Sequence, residues 1–141
     1  MSFKKEEKMF DGHFTPKEAN KRLPYIKRIV EDILKKGQRL QALLKNPSTP
    51  PMEKECEDLE REINRHMREL EEIGCFFKDW NFEIGLVDFP AVIDGEEVLL
   101  CWKSDEPEVL WYHSMEDGFS GRKPIPEYWL IEGEDLFKEN S

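Results

Sequence analysis

The side chains best suited to chemistry crowd into residues 101–122 of this 141-residue chain. Cys101, Trp102, Lys103, Ser104, Asp105, Glu106 and Pro107 run together. Trp111, Tyr112 and His113 follow, and Asp117-Gly118-Phe119-Ser120-Gly121-Arg122 closes the stretch. Cys75, Cys101, His66 and His113 supply metal-ligand types, but no CxxC, HxxxH or HxxE spacing seeds a site, so no metal ligand is assigned. His113 beside a carboxylate such as Asp88 or Asp117 has the makings of a general base. Cys101 as a nucleophile needs an activating partner. No GxSxG, Cys–His signature or paired-acid motif accompanies them, so no catalytic residue is assigned and no cofactor is expected. The glycines of Gly118–Gly121 follow no strand–loop–helix context of the kind that cradles phosphate.

Arg122 stands out by charge. It and Lys123 are the two basic residues between positions 104 and 137. A cation in such surroundings pairs with Glu106, Asp117 or Asp88 and ties its loop down, or else it joins His113 in receiving an anionic ligand. The candidate ligand site is therefore Asp88, Trp102, Glu106, His113, Asp117 and Arg122.

The elements that must position these residues fall into two halves. Residues 1–73 carry 16 Lys and Arg against 15 Asp and Glu; residues 74–141 carry 5 against 16 and hold 12 of the 16 aromatics. So acidic a half repels phosphate backbones, which argues against a nucleic-acid partner. No apolar run approaches the roughly 18–20 residues that span a bilayer, and the N-terminus lacks the apolar stretch of a secretory signal. Three cysteines at unrelated spacings make no disulfide framework, so a cytoplasmic location is expected.

Thr15-Pro16-Lys17-Glu18 has the spacing of a capping box with Pro at the first helical position. Leu23-Pro24 is expected to bend or restart the helix. Beyond it Ile26, Val30, Ile33, Gly37, Leu40 and Leu44 recur in steps of four and three, a coiled-coil seam. Asn46–Pro51 forms the turn. A second seam runs through Met52, Cys56, Leu59, Ile63, His66, Leu70 and Ile73 and stops at Gly74. Folded back on itself, the chain pairs Gly37 with Leu59, Ile33 with Ile63, Val30 with His66 and Ile26 with Leu70. In this register Gly37 makes room for Leu59, and Met67 lies off the seam. His66 is a polar seam position that sets register. A basic helix (nine basic and three acidic residues over 17–45) faces an acidic one (four and nine over 51–73).

Gly85–Ile93 and Glu96–Lys103 flank Asp94-Gly95, a strong hairpin signal. Glu108–His113 makes a third strand, and Pro90 marks the first as an edge. If the second loop is the four residues 104–107, His113 lies opposite Val98 on the face of Val87, Phe89, Leu100 and Trp102. Asp88, Leu99, Cys101 and Tyr112 then share the other face. An odd-length loop or a bulge would reunite Cys101 and His113 with Asp88. Both faces are largely apolar; the helices cover one, and the tail with Tyr128, Trp129, Leu130 and Phe137, or a second subunit, covers the other.

This residue pattern resembles the uncharacterised prokaryotic family called domain of unknown function 2203. The resemblance rests on Gly85–Ala91, Asp94-Gly95, Glu97-Val98, Leu100–Trp102, Glu106–Val109, Trp111, His113, Asp117–Phe119, Gly121-Arg122 and Pro124. Phe14-Thr15, Glu18–Asn20 and Leu23-Pro24 add to it, so it spans residues 14–125. Lys103 departs from the family's usual Arg, and Tyr112 from its usual large apolar residue. The resemblance implies a helical hairpin with a small sheet and brings no activity, ligand or catalytic residue. The expected architecture is a single α+β domain over 1–141: a long antiparallel hairpin at 14–73, a three-stranded antiparallel meander with its loop at 74–125, and a tail at 126–141. The expected role is a self-associating interaction or scaffold protein, dimeric for preference because two apolar faces exceed what one copy can cover. The alternative is an enzyme or small-ligand binder with its site around Glu106, His113, Asp117 and Arg122.

Overall fold

A computed structural model describes residues 13–46 and 49–130. Among the described residues two helices come first, α1 (Pro16–Leu44) and α2 (Pro50–Ile73), followed by strands β1 (Phe76–Phe77), β2 (Leu86–Ile93), β3 (Glu96–Lys103), β4 (Trp111–Ser114) and β5 (Lys123–Pro124). A 3₁₀ turn at Phe119–Gly121 precedes β5.

Local chemistry starts and stops the helices as expected. Thr15 Oγ1 accepts the Glu18 N–H while Glu18 reaches back to the Thr15 N–H, which completes the capping box. Pro24 lies inside α1, which neither breaks nor restarts there. Its missing N–H is on an exposed stretch, where loss of one bond is tolerated. Thr49 caps α2 with Pro50 and Pro51 in its first turn, so the turn is shorter than the proline run suggests. Pro47 and Ser48 lie outside the described residues. Gly74 ends α2 in the left-handed conformation, at φ 111°.

The helices pack antiparallel. Lys36 reaches Glu62 at 2.8 Å and Arg39 reaches Glu55 at 2.9 Å, so partners ascend in one helix as they descend in the other. His66 is buried in this interface, with Lys36 Nζ at 2.9 Å from Nε2 and Glu69 Oε1 at 2.8 Å from Nδ1. The expected reason for Gly37, room for Leu59, needs correction. A Cβ on Gly37 would fall inside the ring of Phe82, so the glycine makes room for the loop after β1. Gln38 and Gln41 hold that loop by donating to the Phe82 and Asn81 carbonyls, at 2.9 and 3.0 Å. Met67 is buried in the core, whereas Leu59 is only half-buried, the reverse of their expected standing.

The sheet is a five-stranded antiparallel meander in chain order, not a three-stranded one. β1 and β5 are two residues each, too short to leave a periodic trace. The first hairpin has the expected register, Asp88 opposite Cys101 and Val87 opposite Trp102. Asp94 and Gly95 both take positive φ, 51° and 80°, the backbone that a two-residue hairpin demands. Pro90 sits where β1 has already ended. Its carbonyl accepts the Phe14 N–H at 2.7 Å, so β2 is an edge there and an interior strand at residues 87–88.

The third strand differs by one residue. His113 pairs with Leu99 and Cys101 with Trp111. With a side-chain period of two, that slip transfers every β4 side chain to the opposite face. The inner face carries Val87, Phe89, Ala91, Val98, Leu100 and Trp102, packed on Ile26, Ile29, Val30 and Ile33 of α1. Tyr112 belongs to this inner face, and Trp129 meets it edge-on with centroids 6.5 Å apart. The tail through Leu130 thus extends the inner core and does not cover the outer face. Phe137 lies outside the described residues. Asn20 clasps the two layers together: its Oδ1 accepts the Val109 N–H at 2.6 Å, and its Nδ2 donates to the Val109 carbonyl at 3.2 Å.

Candidate metal centre

The outer face of the sheet is where the chemistry collects. Asp88 on β2 and Cys101 on β3 are directly opposite each other, and His113 on β4 sits diagonal to Cys101. Side chains on one face of adjacent strands are near enough to meet in both relations. The carboxylate, thiol and imidazole all converge, with one ligand atom of each within 4.8 Å of the others. All three are buried, at 5%, 1% and 3% exposure.

The hydrogen bonds around His113 constrain where its proton sits. His113 Nδ1 lies 2.8 Å from the Ser114 carbonyl oxygen, which can only accept, so Nδ1 carries a proton. In a neutral ring this leaves Nε2 with a lone pair, facing Asp88 Oδ1 at 3.4 Å. That is long for a charge-assisted bond, whose N···O distance is typically about 2.7–2.9 Å. Burial pushes the Cys101 thiol up to about 12, with the neighbouring Asp88 charge adding to the effect. Burial also raises Asp88, while His113 and Lys78 pull it back down. A cation among the three would invert this balance, because a coordinated thiol loses its proton outright.

A cavity of about 310 Å³ opens above the cluster. Leu86, Leu99, Met115, Gly118 and Phe119 form its walls, with Lys78 at the side. Lys78 reaches this face because its N–H continues the ladder to the Leu86 carbonyl, at 2.8 Å.

Of the six candidate residues, only Asp88 and His113 line this cavity. Trp102 is in the inner core, with its indole N–H on the Glu106 carbonyl at 2.9 Å. Glu106 and Arg122 form a separate cluster. Both terminal nitrogens of Arg122 bond the Glu106 carboxylate at 2.9 Å, and Nη2 also donates to the Cys101 carbonyl at 3.2 Å. Trp111 and Phe119 sandwich the guanidinium at 4.9 and 4.8 Å from their ring centroids. Glu106 also accepts the Lys103 N–H at 2.8 Å. Lys103 uses its side chain on Asp105 at 3.5 Å, so no guanidinium fork is needed there. Asp117 is exposed and joins neither cluster; its own N–H is taken by Ser114 Oγ.

Lys78 is the site residue that sequence reasoning missed, and Cys101, weighed as a ligand and a nucleophile, is absent from the six candidates. The odd-length connection between β3 and β4 was the available signal for Cys101. No spacing signal pointed to Lys78.

The family model described as an uncharacterized conserved protein, domain of unknown function 2203, matches residues 13–125. The chain belongs to this family. No curated protein and no solved structure matches it. The stretch matched to domain of unknown function 2203 contains both helices, all five strands, the Asp88–Cys101–His113 cluster and the Glu106–Arg122 pair. Among the described residues no helix is long and apolar enough to cross a membrane.

Proposed function

We propose that this chain binds one divalent transition-metal ion of the zinc class through Asp88 Oδ1, Cys101 Sγ and His113 Nε2. The separation of Oδ1 and Nε2 carries the reading. Two such atoms, each about 2.0–2.1 Å from a shared tetrahedral ion, lie about 3.3–3.4 Å apart. In this chain they are 3.4 Å apart. A mixed sulfur, nitrogen and oxygen donor set suits borderline-soft zinc better than magnesium or calcium. The Ser114 carbonyl on Nδ1 supplies the outer-shell bond that fixes a ligating imidazole in the right tautomer. Three protein ligands leave the fourth position facing the cavity, the arrangement of zinc sites that exchange water for a ligand.

The test is cobalt titration of metal-stripped protein followed by native mass spectrometry with zinc. Tetrahedral cobalt bound to a thiolate has intense visible bands and a sulfur-to-metal charge-transfer band. Both are expected at one equivalent, and both should vanish in Cys101→Ser and His113→Gln. Stoichiometric binding that survives both substitutions, or none at micromolar protein, would overturn the reading.

A second reading is self-association through the same face. Phe76, Met115 and Phe119 are exposed on or beside it, at 41%, 59% and 42%. In that reading these residues form an interface and the cluster beneath is a structural hydrogen-bonded group. Light scattering separates the two: a dimer mass at tens of micromolar in metal-free protein favours association, and a monomer mass refutes it.

A further inference from the structure

We infer that the cavity takes a small organic monoanion, a carboxylate with an apolar body, held between the open metal position and the Lys78 ammonium. This rests on the metal-binding reading above. The charge arithmetic supports a single negative charge. A divalent ion is neutralised by the Asp88 carboxylate and the Cys101 thiolate, and His113 adds nothing. Among the described residues that line the cavity, Lys78 is then the one uncompensated charge.

Pairing fixes the backbone of Lys78, and its exposed side chain lines the cavity. Phe76 stands opposite Asp88, and two residues further along the same edge Lys78 continues the ladder through Leu86. Its side chain therefore rises from the same face as the cluster. The remaining walls are Leu86, Leu99, Met115, Gly118 and Phe119, which offer a ligand no hydrogen bonds from their side chains. A phosphate dianion needs several donors, and this wall offers one point charge. A carboxylate needs one metal bond and one cation, and its hydrocarbon part needs apolar walls. Arg122 does not compete for it, because both of its terminal nitrogens are bonded to Glu106.

The experiment is isothermal calorimetry of zinc-loaded full-length protein with benzoate, benzamide and inorganic phosphate, beside the Lys78→Gln variant. Zinc occupancy is read by native mass spectrometry on the same samples. Benzoate is expected to bind wild type, benzamide and phosphate to bind at least tenfold more weakly, and Lys78→Gln to bind benzoate about five- to tenfold more weakly. Equal benzoate affinity in zinc-loaded wild type and Lys78→Gln overturns the inference and leaves the metal reading standing. So does tighter binding of phosphate than of benzoate. Protein that holds no zinc overturns both.

Discussion

Removing Arg122 tests whether the outer loop is tied down by this side chain or merely decorated by it. The guanidinium and its Glu106 partner are 13% and 17% exposed, closer to a buried pair than to a surface one. Breaking a buried pair costs about 3–5 kcal/mol because the orphaned charge stays desolvated, whereas an exposed pair is worth about 0–1 kcal/mol. Stacking between two aromatic rings adds roughly 0.5–1 kcal/mol. Arg122 Nε is buried with no hydrogen-bond partner among the described residues, which subtracts from the gain. The balance gives about 3 kcal/mol for Arg122→Ala, or a fall in Tm of roughly 10 °C for a domain of this size. Arg122→Lys keeps the charge but not the fork and should recover less than half of the loss. Urea denaturation of Arg122→Ala, Glu106→Gln and the double variant measures the coupling directly, and a value above about 1.5 kcal/mol is expected. An Arg122→Ala protein that melts within about 1 °C of wild type, or a coupling near zero, would refute the reasoning.

Three further outcomes follow from packing. Gly37→Ala drives a methyl group into the Phe82 ring and should cost about 1–3 kcal/mol in chemical denaturation; Phe82→Ala in the same chain should relieve part of it, and an unchanged Gly37→Ala midpoint would show that the ring moves freely. Ile63→Ala and Met67→Ala should each cost roughly 2–4 kcal/mol, and Leu59→Ala clearly less, since only the first two are buried; equal losses at all three positions would contradict the packing described here. Asn20→Ala strips both backbone groups of Val109 of their partner and should cost about 1–3 kcal/mol, with accelerated hydrogen exchange at the Val109 amide as the local readout.

How much of this was legible in the sequence depends on the reach of each determinant. Thr15 with Glu18, Gly74 and Asp94-Gly95 act within a few residues, and the elements they bound were readable directly. The apolar steps of the two helices specified their pairing because a short turn leaves few registers. The position of β4 was not readable in the same way. Seven residues, 104–110, separate it from β3, and their path is set by contacts that span the chain. Glu106 is gripped by Arg122, 16 residues on, and Val109 by Asn20, 89 residues back. A one-residue error there inverted the face of His113 and separated it from Cys101, so the candidate set kept Asp88 and His113 but lost the thiol between them. Gly37 was misread for the same reason: Phe82 is 45 positions away and belongs to a loop without periodicity. The Arg122 partner was among the three acids named, because one cation in an acidic segment has few alternatives.

The chain-order meander also says something about synthesis. Each strand pairs with the one made just before it, and the helical hairpin precedes them all. Both helices have therefore left the ribosome before any of the sheet exists. During that interval Ile26, Ile29, Val30 and Ile33 of α1 have no β2 or β3 to cover the side they turn to the core. The Asn20 clasp cannot close until residue 109 has been added. A nascent chain of this protein passes through a stage in which its longest helix is capped and paired yet bare along one apolar stripe. Transiently exposed apolar surface of this kind is where aggregation competes with folding.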